Sequence, residues 1–136
     1  MTNAPLLDTH AWVWWLHDDT RLGHDVRRAL DDLPIDARPA ISDISLWEVA
    51  TLVNLGRLQL PGTFDEWLEV AAHPRTVRIL PITSHIAADV ARLPDLLHRD
   101  PADRVIVSTS RVHGLPLLTR DATILGCGLV RPWVPV

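Results

Sequence analysis

Ala4-Pro5-Leu6-Leu7-Asp8-Thr9-His10-Ala11-Trp12-Val13-Trp14-Trp15-Leu16 is a short apolar run, then an acid and a hydroxyl, then a longer apolar run. That succession reads as a strand feeding a helix, and Asp8 then falls where the strand ends. Gly23 to Leu33 continues with Val26, Ala29, Leu30 and Leu33 at helical spacing, and Pro34 and Pro39 frame a loop leading to a short strand at Ala40 and Ile41. A second strand-to-helix junction follows, with Ile44 to Leu55 apolar nearly all round and closed by Gly56. Thr63 to Ala72 reads as a helix capped by Thr63, Val77 to Ile82 as a strand, and Thr83 as the cap of a helix carrying Ile86, Ala87, Val90 and Leu93. Asp100-Pro101 opens another helix that Gly114 stops, Leu115 to Thr119 is the next strand, and Leu129 to Val136, with two prolines, is an expected edge strand. Short strands alternating with helices predict an α/β fold: a mainly parallel sheet of four to five strands flanked by helices, in one domain spanning residues 1–136. In such sheets ligands sit in the crevice outside the carboxyl ends of the strands, where Asp8 and Asp121 both point.

The composition narrows the function. With 47% apolar and 22% charged residues, the chain is ordinary for a globular protein and has no apolar run long enough to span a bilayer. The absence of a secretory signal and the single Cys127 lead us to expect a cytoplasmic protein without membrane association. A net charge of −4 excludes nucleic-acid binding through a uniformly basic surface, so any such contact must be local. All 13 basic residues are Arg. A guanidinium grips phosphate as a bidentate fork, but codon bias in a GC-rich genome is the simpler explanation, and the missing Lys carries little weight.

Asp8 and Asp121 follow strands, while Glu48 and Asp103 lie early in helices that right-handed crossovers start at the same sheet edge. Gathering carboxylates there is expensive, since two charges about 4 Å apart repel by roughly 4 kcal/mol at an effective dielectric near 20. Either some protonate or a cation neutralises them, and hard divalent ions such as Mg²⁺ take oxygen ligands and keep several waters. The seven histidines form neither an H-x-H pair nor an H-E-x-x-H helix, and one cysteine cannot build a cysteine-rich zinc site. Walker A, G-x-G-x-x-G and G-x-S-x-G patterns are also absent.

Four segments, Leu6-Leu7-Asp8-Thr9-His10, Ile44-Ser45-Leu46-Trp47-Glu48-Val49, Asp100-Pro101-Ala102-Asp103-Arg104-Val105-Ile106 and Leu117-Leu118-Thr119-Arg120-Asp121, occur in this order across nearly the whole chain. Together the set resembles the motifs of VapC-type PIN-domain toxins. The resemblance implies an Mg²⁺- or Mn²⁺-dependent endoribonuclease of a toxin-antitoxin pair, whose acidic quartet matches Asp8, Glu48, Asp103 and Asp121. It further implies an RNA substrate, a VapB-type antitoxin that covers the active site, and a homodimer. On this reading Asp8 and Asp103 are direct ligands. Glu48 is a ligand or the acceptor of the attacking water's proton, and Asp121 is a second-site or outer-shell ligand.

Each residue also has a plainer reading. Ser45-x-x-Glu48 matches a capping box, with Ser42 as the competing cap. Asp100 before Pro101 fits an N-cap and is also a possible ligand. Asp103 fits a helix-dipole acid, Asp8 an N-cap, and Asp121 a turn residue before Ala122. Thr9 and Thr119 hold either the carboxylates or their own backbone. Arg99, Arg104 and Arg120 flank the acids and either steer phosphate or pair on the surface. Trp12, Trp14 and Trp15 cannot all enter one core from one helix, so part of this segment is core and part an interface. Two rival functions follow: a catalytically silent binding module, and an aspartate-based phosphatase. The second lacks an Asp-x-Asp pair after the first strand and a lysine partner.

Overall fold

The computed structural model describes residues 4–95 and 100–135. Its elements are β1 (Leu6–Leu7), α1 (Thr9–Leu16), α2 (His24–Asp31), β2 (Ala40–Ser42), α3 (Asp43–Asn54), α4 (Phe64–Ala71), β3 (Arg78–Leu80), α5 (Ser84–Arg92), α6 (Pro101–His113), β4 (Leu117–Leu118) and α7 (Ala122–Gly126). Single 3₁₀ turns at Thr20–Leu22 and Ile35–Ala37 join them.

The strands pair in parallel in the order β3-β2-β1-β4, with Leu6 opposite Ala40 and Leu117, and Leu7 opposite Ile41 and Leu118. Successive strand residues face opposite sides of a sheet. Leu7, Ile41 and Leu118 accordingly pack into a core cluster with Trp12, Leu22, Leu30, Val49 and Trp67, and Leu6, Ala40 and Leu117 into a second cluster with Ile106, Val107 and Ile124. Burial on both faces explains why the strands read as unbroken apolar doublets rather than alternating patterns. The chain leaves β1 in one direction toward β2 and β3, then returns to β1's other side as β4. Their carboxyl ends therefore open a crevice at the point where strand order reverses.

The helices obey their capping residues. Ser42 rather than Ser45 caps α3, its hydroxyl accepting from the Ile44 N–H at 3.1 Å, so Glu48 is released from the capping-box role. Asp100 caps α6 by accepting from the Ala102 N–H at 2.8 Å, Pro101 occupies the first turn, and Gly114 ends the helix in the left-handed region at φ 64°. Trp12 is fully buried, donates its indole N–H to the Ala71 carbonyl at 3.0 Å and packs against Trp67 at 5.1 Å between centroids.

Three expectations change. The strands are shorter than their apolar runs, because the cap of the next helix follows immediately. The expected edge strand at residues 129–136 is reduced to one parallel bridge, Leu117 to Pro132, since Pro132 has no N–H to extend the ladder; position 136 lies outside the described residues. Asp121 begins a helix, α7, rather than a simple turn. Among the described residues no helix is long and apolar enough to cross a membrane.

Candidate active site

A cavity of about 370 Å³ opens at the crevice, and Asp8, Glu48, Asp103 and Asp121 all line it, joined by Asp100 and Thr9. Four segments far apart in sequence thus bring their acids to one place. Asp8 caps α1, its Oδ1 accepting from the Ala11 N–H at 2.7 Å. Asp121 caps α7 by accepting from the Ile124 N–H at 3.0 Å. Asp100 is both cap and cavity wall, so its two readings coexist. A somewhat larger cavity, about 410 Å³, lies beside the C-terminal end of α6. The carboxylate lining it, Asp89, is already paired with Arg111 at 3.0 Å, so chemistry rather than size identifies the site.

Thr119 binds two acid-bearing loops together. Its hydroxyl donates to Asp8 Oδ2 and accepts the Asp121 N–H at 3.0 Å, combining the carboxylate-holding and local-backbone roles. Thr9 also takes the carboxylate-holding role: its side chain hydrogen-bonds Glu48, and its hydroxyl bonds that of Ser45 at 2.8 Å, tying α1 to α3 at the cavity wall. Arg120 lines the cavity and donates Nη2 to the Leu22 carbonyl. Gly23 is required beside it, since an added Cβ would stand 3.0 Å from that guanidinium at a φ of 94°.

Arg104 departs from the expected phosphate-steering position. Its guanidinium donates to the carbonyls of Leu93 at 3.0 Å and Val90 at 3.4 Å, closing the C-terminal end of α5. Arg99 lies outside the described residues. His10, Trp14 and Arg21 also line the cavity, and the sequence reading did not place them there. His10 and Trp14 had a usable signal, being four apart on the helix that Asp8 caps. Arg21 had none, because a turn brings it in. Of the three tryptophans, Trp12 is core, Trp14 reaches the cavity, and Trp15 donates to Asp31 at 2.9 Å.

The electrostatics are those of crowded acids. Burial pushes the Asp8 carboxyl above its ordinary value, and Asp121 adds to this, against the Thr119 and Ala11 hydrogen bonds and His10. Burial also raises Glu48, with Asp100 and Asp8 adding their charge and Thr9 and His10 opposing. Glu48 Oε1 is buried without a hydrogen-bond partner. An orphaned carboxylate oxygen in an acid-lined cavity is what a cation would satisfy. The residues therefore fit a hard divalent ion in donor type. Yet among the described residues no three His, Cys, Asp or Glu side chains converge tightly enough to hold an ion by themselves. Waters and substrate oxygens would have to complete the shell, as Mg²⁺ sites commonly require.

The raised values carry a sign. A carboxyl whose pKa rises on folding holds its proton more tightly when folded, so stability declines as pH climbs from the ordinary value through the raised one. For Asp8 and Glu48 that decline starts at 3.8 and 4.5. Asp19, held down to about 2 by Arg21, and Asp89, lowered by Arg111 against its own burial, act only below that window. In chelator, the melting temperature is expected to fall as pH is raised from about 5. Melting scans should show the slope flattened in the Asp8→Asn/Glu48→Gln double variant.

Comparison with known proteins identifies the family and the fold. The PIN domain family model matches residues 6–125. Ribonuclease VapC22 of Mycobacterium tuberculosis (strain ATCC 25618 / H37Rv) is 37% identical over 117 residues, covering 85% of either chain. FitAcB from Neisseria gonorrhoeae shares the fold at a TM-score of 0.68 with 26% identity over 96% of both chains. A toxin-antitoxin complex from Klebsiella pneumoniae, 22% identical over 98% of both chains with a TM-score of 0.66, is similar in fold. The chain belongs to the PIN-domain family, and within it to the VapC type.

Proposed function

We propose that this chain is a divalent-metal-dependent endoribonuclease, the toxin of a toxin-antitoxin pair, that hydrolyses RNA phosphodiesters at the acid-lined cavity. The observation that carries the reading is the sharing of one cavity by Asp8, Glu48, Asp103 and Asp121, with Glu48 Oε1 buried and unpartnered.

Mg²⁺ or Mn²⁺, when bound, supplies Lewis-acid neutralisation of the phosphodiester charge and makes water a stronger acid. Asp8 and Asp103 would hold it, with Asp121 supporting from a second position or an outer shell. Thr119 and the Ala11 N–H fix the Asp8 carboxylate, so it need not reorganise when a substrate arrives. Glu48 would either join as a further ligand or accept the proton that water loses as its oxygen bonds phosphorus; the P–O ester bond in line with that attack breaks, and the leaving oxygen takes a proton from solvent. A carboxylate whose pKa is raised is a stronger acceptor than an ordinary one. Arg120, at the cavity wall, meets the non-bridging phosphate oxygens.

The partner we propose is a small VapB-type antitoxin. The relatives' names support it, as do the exposed apolar side chains Trp47, Leu55 and Val70, which are 57%, 58% and 63% exposed. The same side chains offer surface for a homodimer. The reading is tested on purified chain with total RNA: cleavage with Mg²⁺ or Mn²⁺, none with excess chelator, and recovery when the metal is restored. Equal cleavage in chelator contradicts metal dependence, and no cleavage under any condition favours the silent binding module.

A further inference from the structure

An acid-lined cavity repels a polyanion, and the chain's net charge of −4 does not compensate. Affinity for RNA must then come from chemistry beside the carboxylates. His10, Trp14 and Arg21 stand there, and they line a second cavity too, of about 290 Å³, that adjoins the first. Beyond them that cavity is walled by Val13, Leu52 and Leu58 on its apolar side and by Thr9, His17, Asp19 and Arg57 on its polar side. Three flat groups thus lie between an acidic chamber and a mixed one that carries both an apolar wall and a cation.

Their mutual geometry is fixed. The Trp14 and His10 rings are 5.8 Å apart at 50°, and the Arg21 guanidinium carbon lies 5.0 Å from the Trp14 centroid. Asp19 engages the guanidinium edge in two hydrogen bonds, accepting from Nε at 3.0 Å and Nη2 at 2.7 Å. With its fork engaged by Asp19, Arg21 is poorly placed to grip phosphate, and its guanidinium is held against the Trp14 ring instead. Aromatic rings and guanidinium planes are the surfaces on which unpaired bases lie.

We infer that Trp14, His10 and Arg21 form a nucleobase-stacking platform that binds single-stranded RNA beside the acidic cavity, the flanking base lying against the Val13, Leu52 and Leu58 wall of the second chamber and the next phosphate meeting Arg57. This deepens the ribonuclease reading and rests on it. A base must leave its helix to lie on such a platform, so duplex RNA is excluded.

The test uses a fluorescently labelled mixed-sequence RNA 12-mer, single-stranded or annealed, with the full chain in chelator so that nothing is cleaved. Trp14→Ala is expected to weaken single-strand binding by roughly 5- to 150-fold. Its salt dependence should keep the wild-type slope, because stacking releases no counterions, whereas Arg57→Ala should lower the slope by about 0.7. Trp14→Phe should retain most of the affinity, and Arg21→Ala should lose part of it while leaving the core untouched. Unchanged single-strand affinity in both Trp14→Ala and Arg21→Ala, or wild-type preference for the duplex, overturns the platform. Cleavage by Asp8→Asn judges the ribonuclease reading separately: its loss, together with unaltered Trp14→Ala binding, sinks the platform alone, and its full persistence sinks the assignment of cleavage to the acidic cavity.

Discussion

Asp8→Asn is expected to lower metal-dependent RNA cleavage by more than about 100-fold while leaving the metal-free chain at least as stable as the wild type. The lower bound follows from outer-shell partners of metal ligands, whose loss typically costs 10- to 100-fold, so a ligand itself should cost more. The stability half follows from the local structure. An Asn side chain accepts the Ala11 N–H as well as Asp does, so the α1 cap survives. Burial and the neighbouring Asp121 charge disfavour the ionised Asp8 carboxyl, and a neutral amide removes both penalties. The Thr119 hydroxyl, which donates to Asp8 Oδ2, must turn to accept instead, and a hydroxyl can do so. Opposite signs for activity and stability separate a site held together for function from one held together for folding. Cleavage rates with Mn²⁺ and melting scans in chelator, on the same preparations, measure both halves.

Trp12→Ala should have the largest effect on folding, destabilising the chain by about 3–5 kcal/mol. The indole has no solvent exposure, packs against Trp67 and donates to the Ala71 carbonyl. Truncation leaves both a void and a buried carbonyl without its donor. Against a total of about 5–15 kcal/mol for a domain, that loss removes a large part of the margin. Denaturant titration reads it directly. Trp15→Ala, on the same helix but half-buried, should cost far less.

Much of this organisation is legible in sequence where a local signal carries it. Leu6-Leu7 before Asp8 and Leu117-Leu118 before Thr119 announce strand ends, and Asp100-Pro101 announces a helix start, so three of the four carboxylates have positions that follow from local rules. Glu48 was ambiguous because two serines could cap its helix, and only tertiary structure decides for Ser42. What stayed hidden is non-local. The Thr9 hydroxyl meets Ser45 across 36 positions, and the Thr119 hydroxyl meets Asp8 across 111. Arg104 was misplaced because adjacency to Asp103 does not put both on one face: neighbours on a helix diverge by about 100°, and Arg104 turns toward α5. Helix α7, five residues long, is too short to show periodicity.

Calorimetric titration of Mn²⁺ into the wild-type chain and into Asp8→Asn, Glu48→Gln and Asp103→Asn tests the shared ion site most directly. One saturable binding event is expected in the wild type, weakened or removed by each substitution. Mn²⁺ binding of wild-type strength in all three variants would mean that these carboxylates do not act on a common ion.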